Sequence, residues 1–522
     1  MNLKQIRSIQ EVTIMKKISK DELPPKMPLP SDPPVTDQPG APDGSALQKK
    51  KREKQIAAGL CILLAAGLIF AGVLYFRGGS QAKSPLGKLE RVYGLMKDQW
   101  FYANTLEDPE NDLIEDAILG MTMQEQDPHT NYFSLDEAEL FSKSLAGSNA
   151  GIGISFFKNS DGNIAVNNVF VNSTADKAGL KSGDVITKID DQAAADLDSD
   201  ALVSYIQSRA GKDINIEYIS DGETKRAALV PGTYDSTVSM QIHDGYGLVT
   251  LTSFSEMSGK EFADALGRLR KAGIENLIID LRDNTGGYLS AALDIAGSLL
   301  PSESDVFVEV DKDGNEKVYQ SSKNYTQVPF DHIYVLQNEN SASASEVLIG
   351  ALKDDLPEGV LTTIGQNTYG KGTEQVSVPF EDGTSLKYTI AEWKTPNGTS
   401  INKTGFAPDI ETAPHPVGST RYRDMEETEV IEADKVHPNA QALQIYLSYL
   451  GYPADREDTY FSPSSSEALI QFQQDHGLEP TGSADKKTFD ALREAVVLRY
   501  NENQAAEDEA LQKAIELIEK ES

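Results

Sequence analysis

Cysteine is almost absent from the 522-residue chain. The one example, Cys61, lies inside an apolar run, which excludes an intrachain disulfide framework, a thiolate metal cluster and an accessible cysteine nucleophile. Leu60 precedes it where a lipoprotein signal requires a small side chain, so Cys61 reads as an inert core thiol. Histidine is scarce as well: His129, His243, His332, His415, His437 and His476 form no H-E-x-x-H zinc pattern, and none neighbours a G-x-S-x-G elbow. Positive charge is short, with 48 Lys plus Arg against 81 Asp plus Glu and a formal net charge of -33. Residues 1–54 hold 11 basic and 7 acidic side chains, so the remainder carries 37 and 74, a net of -37. A body that acidic is repelled by phosphate backbones, which argues against nucleic acid as a partner.

One long apolar run is present. Residues 56–76 read IAAGLCILLAAGLIFAGVLYF, long enough for a helix to cross roughly 30 Å of hydrocarbon. Lys49, Lys50, Lys51, Arg52 and Lys54 stand before it and only Arg77 and Lys83 follow closely, so the amino terminus is expected in the cytoplasm and the rest outside. The leading residues far exceed a signal-peptide n-region, which favours a retained single-pass anchor over a cleaved signal. Residues 23–45 are rich in Pro, Asp and Gly and read as a disordered tail.

Beyond the anchor the texture changes several times. Apolar positions at helical spacing (Leu86, Leu89, Val92, Tyr93, Met96, then Leu113, Ile114, Ala117, Ile118) predict paired helices over 84–145. Between about 150 and 232, short β-branched runs separated by Asp-Gly and Ser-Gly turns predict a small, mostly β domain. From 245 to about 412, apolar strands alternate with helical patterns at 259–272, 288–300 and 344–354, the signature of an α/β core. An acidic stretch over 416–436 reads as a linker, a compact unit follows, and the chain ends in an acidic helical pattern from 503 to 520.

Three segments of the α/β part carry chemistry. NENSASASEVLIGALKD follows a strand and opens a helix, placing Ser343 at the helix start. With Glu346 it fits a capping box, its bland role, yet free amides and the positive dipole end there also favour a nucleophile. In TYGKGTEQ, Lys371 sits between two glycines, 28 positions after Ser343. It is either a solvated turn lysine or, if buried, a general base whose pKa falls toward neutrality. LIIDLRDNTGGYL ends a strand at Asp280 and reaches Gly286 and Gly287, either a plain turn or main-chain amides forming an oxyanion hole with Ala344.

Taken together, S-A-S-A-S-E and Y-G-K-G-T-x-Q resemble the carboxyl-terminal processing, or tail-specific, serine protease family over most of 84–412. Asp127-Pro-His-Thr-x-Tyr and Asp280-Leu-Arg-Asp-Asn-x-Gly-Gly are similar to further family segments. The resemblance implies a crotonase/ClpP-like α/β protease core, with Ser343 as nucleophile, Lys371 as base, Gln375 orienting the lysine, and Ser341 and Ser345 structural. Two departures stand out: Thr285 where proline is common, and DDLPEGV as apparent excess between Ser343 and Lys371. The β domain resembles PDZ modules, which implies that Gly151, Ile152, Gly153 and Ile154 form a loop for a terminal carboxylate, the peptide adding as a strand. By the same resemblance the PDZ domain gates the active site. Residues 437–497 resemble the peptidoglycan-binding domain of cell-wall hydrolases, the alternative being a helical packing module.

The expected organisation is therefore a disordered tail (1–54), a transmembrane helix (55–77), an N-terminal helical region (84–149), a PDZ domain (150–232), a protease core (233–415), an acidic linker (416–436), a small all-α wall-binding-like domain (437–497) and an acidic C-terminal helix (498–522). The function expected is a membrane-anchored extracytoplasmic endopeptidase that recognises protein C-termini, needs no metal or organic cofactor, and by family resemblance forms a homodimer. The competing reading is a catalytically silent wall-bound PDZ scaffold.

Overall fold

The computed structural model describes residues 84–146, 149–234, 236–413 and 415–521. The apolar run 56–76 and the tail before it lie outside the described residues, and no described helix is long and apolar enough to cross a membrane. The chain divides into two compact units, with the described residues up to 126 in one and those from 127 onward in the other.

In the smaller unit the helix pair is Pro85–Gln99 and Pro109–Thr122. Each has proline in its first turn behind a capping side chain, Ser84 accepting from Gly87 N–H and Asp108 from Asn111 N–H.

The larger unit is built on a six-stranded sheet in the order Val238–Ile242, Tyr246–Leu251, Asn276–Asp280, His332–Gln337, Leu361–Gly365, Ile410–Glu411. The first pair is antiparallel and the others are parallel. Residues 277–279 and 333–336 are buried because both faces of the sheet are covered. Helices Ser258–Lys271, Leu289–Leu299 and Ala344–Asp355 cover one face, contributing Phe262, Leu266, Ile295, Val347 and Leu348 to the core. The C-terminal helix Glu509–Glu521 covers the other, with Ala510, Ala514 and Ile518 in one stripe against Tyr246, Leu248, Ile278 and Tyr334. The apolar stripe of this helix faces the chain's own sheet.

A second sheet stands beside the first, in the order Asn131–Phe133, Ser385–Lys394, Asp305–Asp311, Glu316–Gln320, with Thr373–Pro379 also paired to Ser385–Lys394. The β domain is an antiparallel sheet ordered Ile154–Lys158, Ile164–Val169, Val185–Ile189, Ile214–Ser220, Glu223–Leu229, packed with helix Ser199–Ser208 around Ile164, Ile186, Leu202 and Ile216. Arg268 ties it to the core through Asp176 at 2.8 Å, and the Asn172 amide reaches Asp264 at 2.9 Å.

Helices Ala440–Leu450, Pro463–Asp475 and Lys486–Glu507 enclose a separate core of Leu443, Tyr446, Leu469, Phe472, Phe489 and Leu492. Two expectations need correction here. The stretch 416–436 is not a free linker: Met425 and Ile431 are buried in this core, and Val430–Ile431 pairs with Ala484–Asp485. Acidic neighbours hid these two apolar anchors, and Glu429 itself is committed to Arg423 and His437. The boundary at 497 also falls inside a 22-residue helix, which runs unbroken to Glu507.

Candidate active site

Strands Asn276–Asp280, His332–Gln337 and Leu361–Gly365 are neighbours, and the chain leaves all three at their carboxyl ends, where open α/β sheets collect ligand-binding groups. The first exit carries Gly286 and Gly287, the second Ser343, and the third Lys371. Sheet order thus converts three separated motifs into one locus. The extra DDLPEGV residues end the Ala344–Asp355 helix and turn into the amino end of Leu361–Gly365, at the opposite end of that strand from Lys371.

Ser343 precedes its helix with φ 57 and ψ -114, a backbone state that costs a non-glycine residue about 1–3 kcal/mol. Its neighbours hold it there: Ser341 Oγ donates to Leu281 O at 2.8 Å, Ser345 Oγ to Asn284 O at 2.9 Å, and Ala342 N–H to Asn284 O at 3.0 Å.

Glu346, one turn into the helix and wholly buried, does far more than cap. One carboxylate oxygen, Oε2, accepts from Ser343 N–H and from Lys371 N–H, both at 2.9 Å. The other accepts from Gly370 N–H at 2.7 Å and Thr368 Oγ1 at 2.6 Å. A single side chain therefore pins the serine and lysine backbones together. Trp393 Nε1 holds the Lys371 carbonyl at 3.1 Å from the other side.

Burial drives the Lys371 amine down to about 8; Lys387 adds to the fall, while Glu346 and Asp127 oppose it. Lys387 is itself lowered by burial, its ammonium 5.3 Å and 5.0 Å from the ring centres of Phe133 and Phe141. Burial and the neighbouring Lys371 bring His129 down to about 4, so near neutrality it is uncharged and does not compete for the same electrostatic role. Removing the second cation should make Lys371 easier to protonate. Lys387→Met is therefore expected to displace the ascending limb of the pH–rate profile to higher pH, and an unmoved limb would remove Lys387 from this account.

The Gln375 amide nitrogen donates to Thr373 Oγ1 at 2.9 Å and Thr389 Oγ1 at 3.2 Å. Thr389 in turn donates to Asp127 Oδ1 at 3.0 Å, and Asp127 also accepts from Thr130 Oγ1 at 2.5 Å and His129 N–H at 3.1 Å. The DPHT segment thus braces Thr389, on the strand paired with the one that carries Gln375. The hydrogen bonds of Gln375 among the described residues run to these threonines and not to Lys371.

Gly286 abuts the serine and Gly287 the backbone of Phe254. A Cβ on Gly286 would stand 2.8 Å from Ser343 Cβ and 2.9 Å from Ala344 N, and one on Gly287 2.2 Å from Phe254 O, so only glycine fits. Gly286, expected as an oxyanion donor, spends its N–H on Asn284 Oδ1 at 2.9 Å. Gly287 is exposed, and neither its amide nor that of Ala344 has a hydrogen-bond acceptor among the described residues. Thr285, just before the glycine pair, is exposed.

The β-domain loop lies elsewhere in the larger unit. Gly151 pairs with Gly232, Ile152 is buried, and Gly153 turns with φ 80 close above Ser173, feeding Ile154 into the edge strand of its sheet. That edge is what strand addition by a peptide needs.

Several site residues escaped the sequence reading. Glu346 was legible only as a cap. Lys387 sits in SLKYTIAEWK, where alternation does not tell which face meets Lys371. Asn284 looked like a turn residue, and Asp127 and His129 carried only their segment's resemblance.

Residues 245–412 match peptidase family S41, 150–230 the PDZ domain and 436–492 the peptidoglycan binding domain. The carboxy-terminal processing protease CtpB of Bacillus subtilis is 31% identical over 425 residues, covering 80% of this chain and 86% of that protein. A probable CtpA-like serine protease of Staphylococcus haemolyticus is 28% identical over 467 residues, covering 85% and 92%. Among solved structures, the photosystem II D1 C-terminal processing protease is 26% identical, covers 62% of this chain and 89% of its own, and superposes with a TM-score of 0.36. The chain belongs to the carboxy-terminal processing proteases of peptidase family S41 and is a serine peptidase.

Proposed function

We propose that the chain is a Ser/Lys endopeptidase acting outside the cytoplasm on proteins with accessible C-termini, and that residues 56–76 anchor it in the membrane. Ser343 Oγ attacks the scissile carbonyl carbon while its proton passes to neutral Lys371 Nζ. The Gly287 and Ala344 amides hold the resulting oxyanion. Gln375, whose amide nitrogen is held by Thr373 and Thr389, is left its amide oxygen with which to orient the lysine. On collapse the C–N bond breaks and Lys371 returns the proton to the leaving amine. Water then attacks the acyl-serine with Lys371 again as base, releasing the new C-terminus. Gly151 to Ile154 receive the substrate's terminal carboxylate, and residues 437–497 hold the enzyme to peptidoglycan.

The observation that carries this reading is the Glu346 carboxylate, which joins the amides of Ser343 and Lys371 at 2.9 Å each. A silent scaffold has no use for a strained serine whose backbone is pinned to that of a lysine lowered by burial to about 8. The membrane reading rests on the apolar run and the basic residues before it. Comparing membrane and secreted protein C-termini between cells carrying the native chain and Ser343→Ala tests the whole. Shortened C-termini should disappear in the variant; identical C-terminal profiles would return the scaffold reading.

A further inference from the structure

Arg282 lies between two carboxylates from distant parts of the chain. Its Nε and Nη2 donate to Asp280 Oδ1 and Oδ2 at 2.9 and 2.7 Å, and Nη1 and Nη2 donate to Asp508 Oδ1 and Oδ2 at 2.7 Å each. Both are two-point forks, which fix orientation as well as charge. Burial disfavours the charged guanidinium, but Asp280 and Asp508 outweigh it and hold Arg282 well above the usual arginine range. The Asp508 side chain is only 6% exposed, and it also caps the last helix by accepting from Leu511 N–H at 3.0 Å.

The loop that Arg282 begins ends at the serine. Asp283 N–H donates to Asn338 Oδ1 at 3.0 Å, and the Asn284 side chain grips Leu251 O at 2.7 Å and Gly286 N–H at 2.9 Å. The Asn284 carbonyl receives Ala342 N–H and Ser345 Oγ. Asp508 directly follows helix Lys486–Glu507 of the C-terminal helical domain, whose Glu502 accepts from Ser160 N–H of the PDZ domain at 2.9 Å and whose Glu507 accepts from Tyr449.

We propose that Asp508 is a positioning residue for catalysis: by completing the Arg282 fork it sets the 281–287 loop, and with it the Gly287 amide, against Ser343. Turnover then depends on a contact supplied from beyond the wall-binding-like domain, more than 160 residues after Ser343. This rests on the Ser343 reading above. In the full chain in detergent, with a fluorogenic peptide, Asp508→Asn is expected to lower kcat by about tenfold or more with KM within about twofold, as misplaced catalytic geometry does. Ile518→Ala thins the packing of the same helix; it should lower the melting temperature and leave kcat unchanged. An Asp508→Asn enzyme with native kcat, or an Ile518→Ala enzyme with an equal loss, overturns the proposal. Should Asp508→Asn not fold, Asp508→Glu, which keeps the charge but shifts the fork, takes its place in the same comparison. Turnover surviving in Ser343→Ala would defeat the catalytic reading instead, independently of either outcome.

Discussion

Glu346→Gln is expected to lose about 100-fold or more in kcat and about 3–5 kcal/mol of stability. The substitution is nearly isosteric, so neither loss comes from a cavity. Each carboxylate oxygen accepts from two donors, and at least one of each pair is a backbone N–H. Whichever way the glutamine amide turns, its NH2 faces a backbone donor that cannot reverse. A buried amide is left unpaired, and the oxygen's charge-assisted bonds are lost with it. Because the orphaned amide belongs to Ser343, Gly370 or Lys371, the relaxation moves one reacting segment against the other. Thermal unfolding and kcat measured together decide it: a destabilised enzyme with kcat within about threefold of native would make Glu346 a structural cap only.

The second large effect has opposite signs for activity and stability. Lys371→Met should lower kcat by about 1,000-fold or more, since a serine without its base is a weak nucleophile. Yet it should stabilise the fold at neutral pH, by up to about 3 kcal/mol. The sign follows from protons bound. The amine titrates at about 8 in the folded chain, against about 10.4 when unfolded, so between those values the unfolded chain binds more protons. Native stability therefore rises with pH across that window, and below it the folded state carries the full cost of a buried charge. Methionine has no such charge, so the gap between the two proteins should be widest below pH 8 and close above about pH 10.5. Denaturant unfolding of both at pH 7 and pH 10.5 checks this; a methionine variant less stable at pH 7 would mean that Lys371 is solvated or paired.

Much of the fold could be read from residue spacing. The core helices at 258–271, 289–299 and 344–355 lie within a residue or so of their expected spans, because apolar periodicity and the Gly-Gly and S-x-x-E boundaries all pointed the same way. What spacing does not carry is which surface an element finally covers. The chain end was recognisable as an acidic helical pattern, but nothing local shows that Ala510, Ala514 and Ile518 belong on the sheet beneath the active site. The same limit applies to 416–436, where acidic residues dominate the composition and two buried side chains, Met425 and Ile431, decide the structure. At the site, Ser343 and Lys371 stood out by motif. Glu346, Asp127 and Asp508 act through partners 25, 262 and 226 positions away in sequence, and Lys387 through another strand, which no local pattern encodes.

The most direct measurement is the rate of acylation of Ser343 by an activated ester, taken from pH 5 to 10 in the native chain and in Lys371→Met. The native rate should rise about tenfold per pH unit and level off near pH 8, following the free amine. In Lys371→Met that ionisation should vanish along with nearly all of the rate. A native rate indifferent to pH across this range, or a methionine variant that retains the same limb, would contradict a neutral Lys371 as the base.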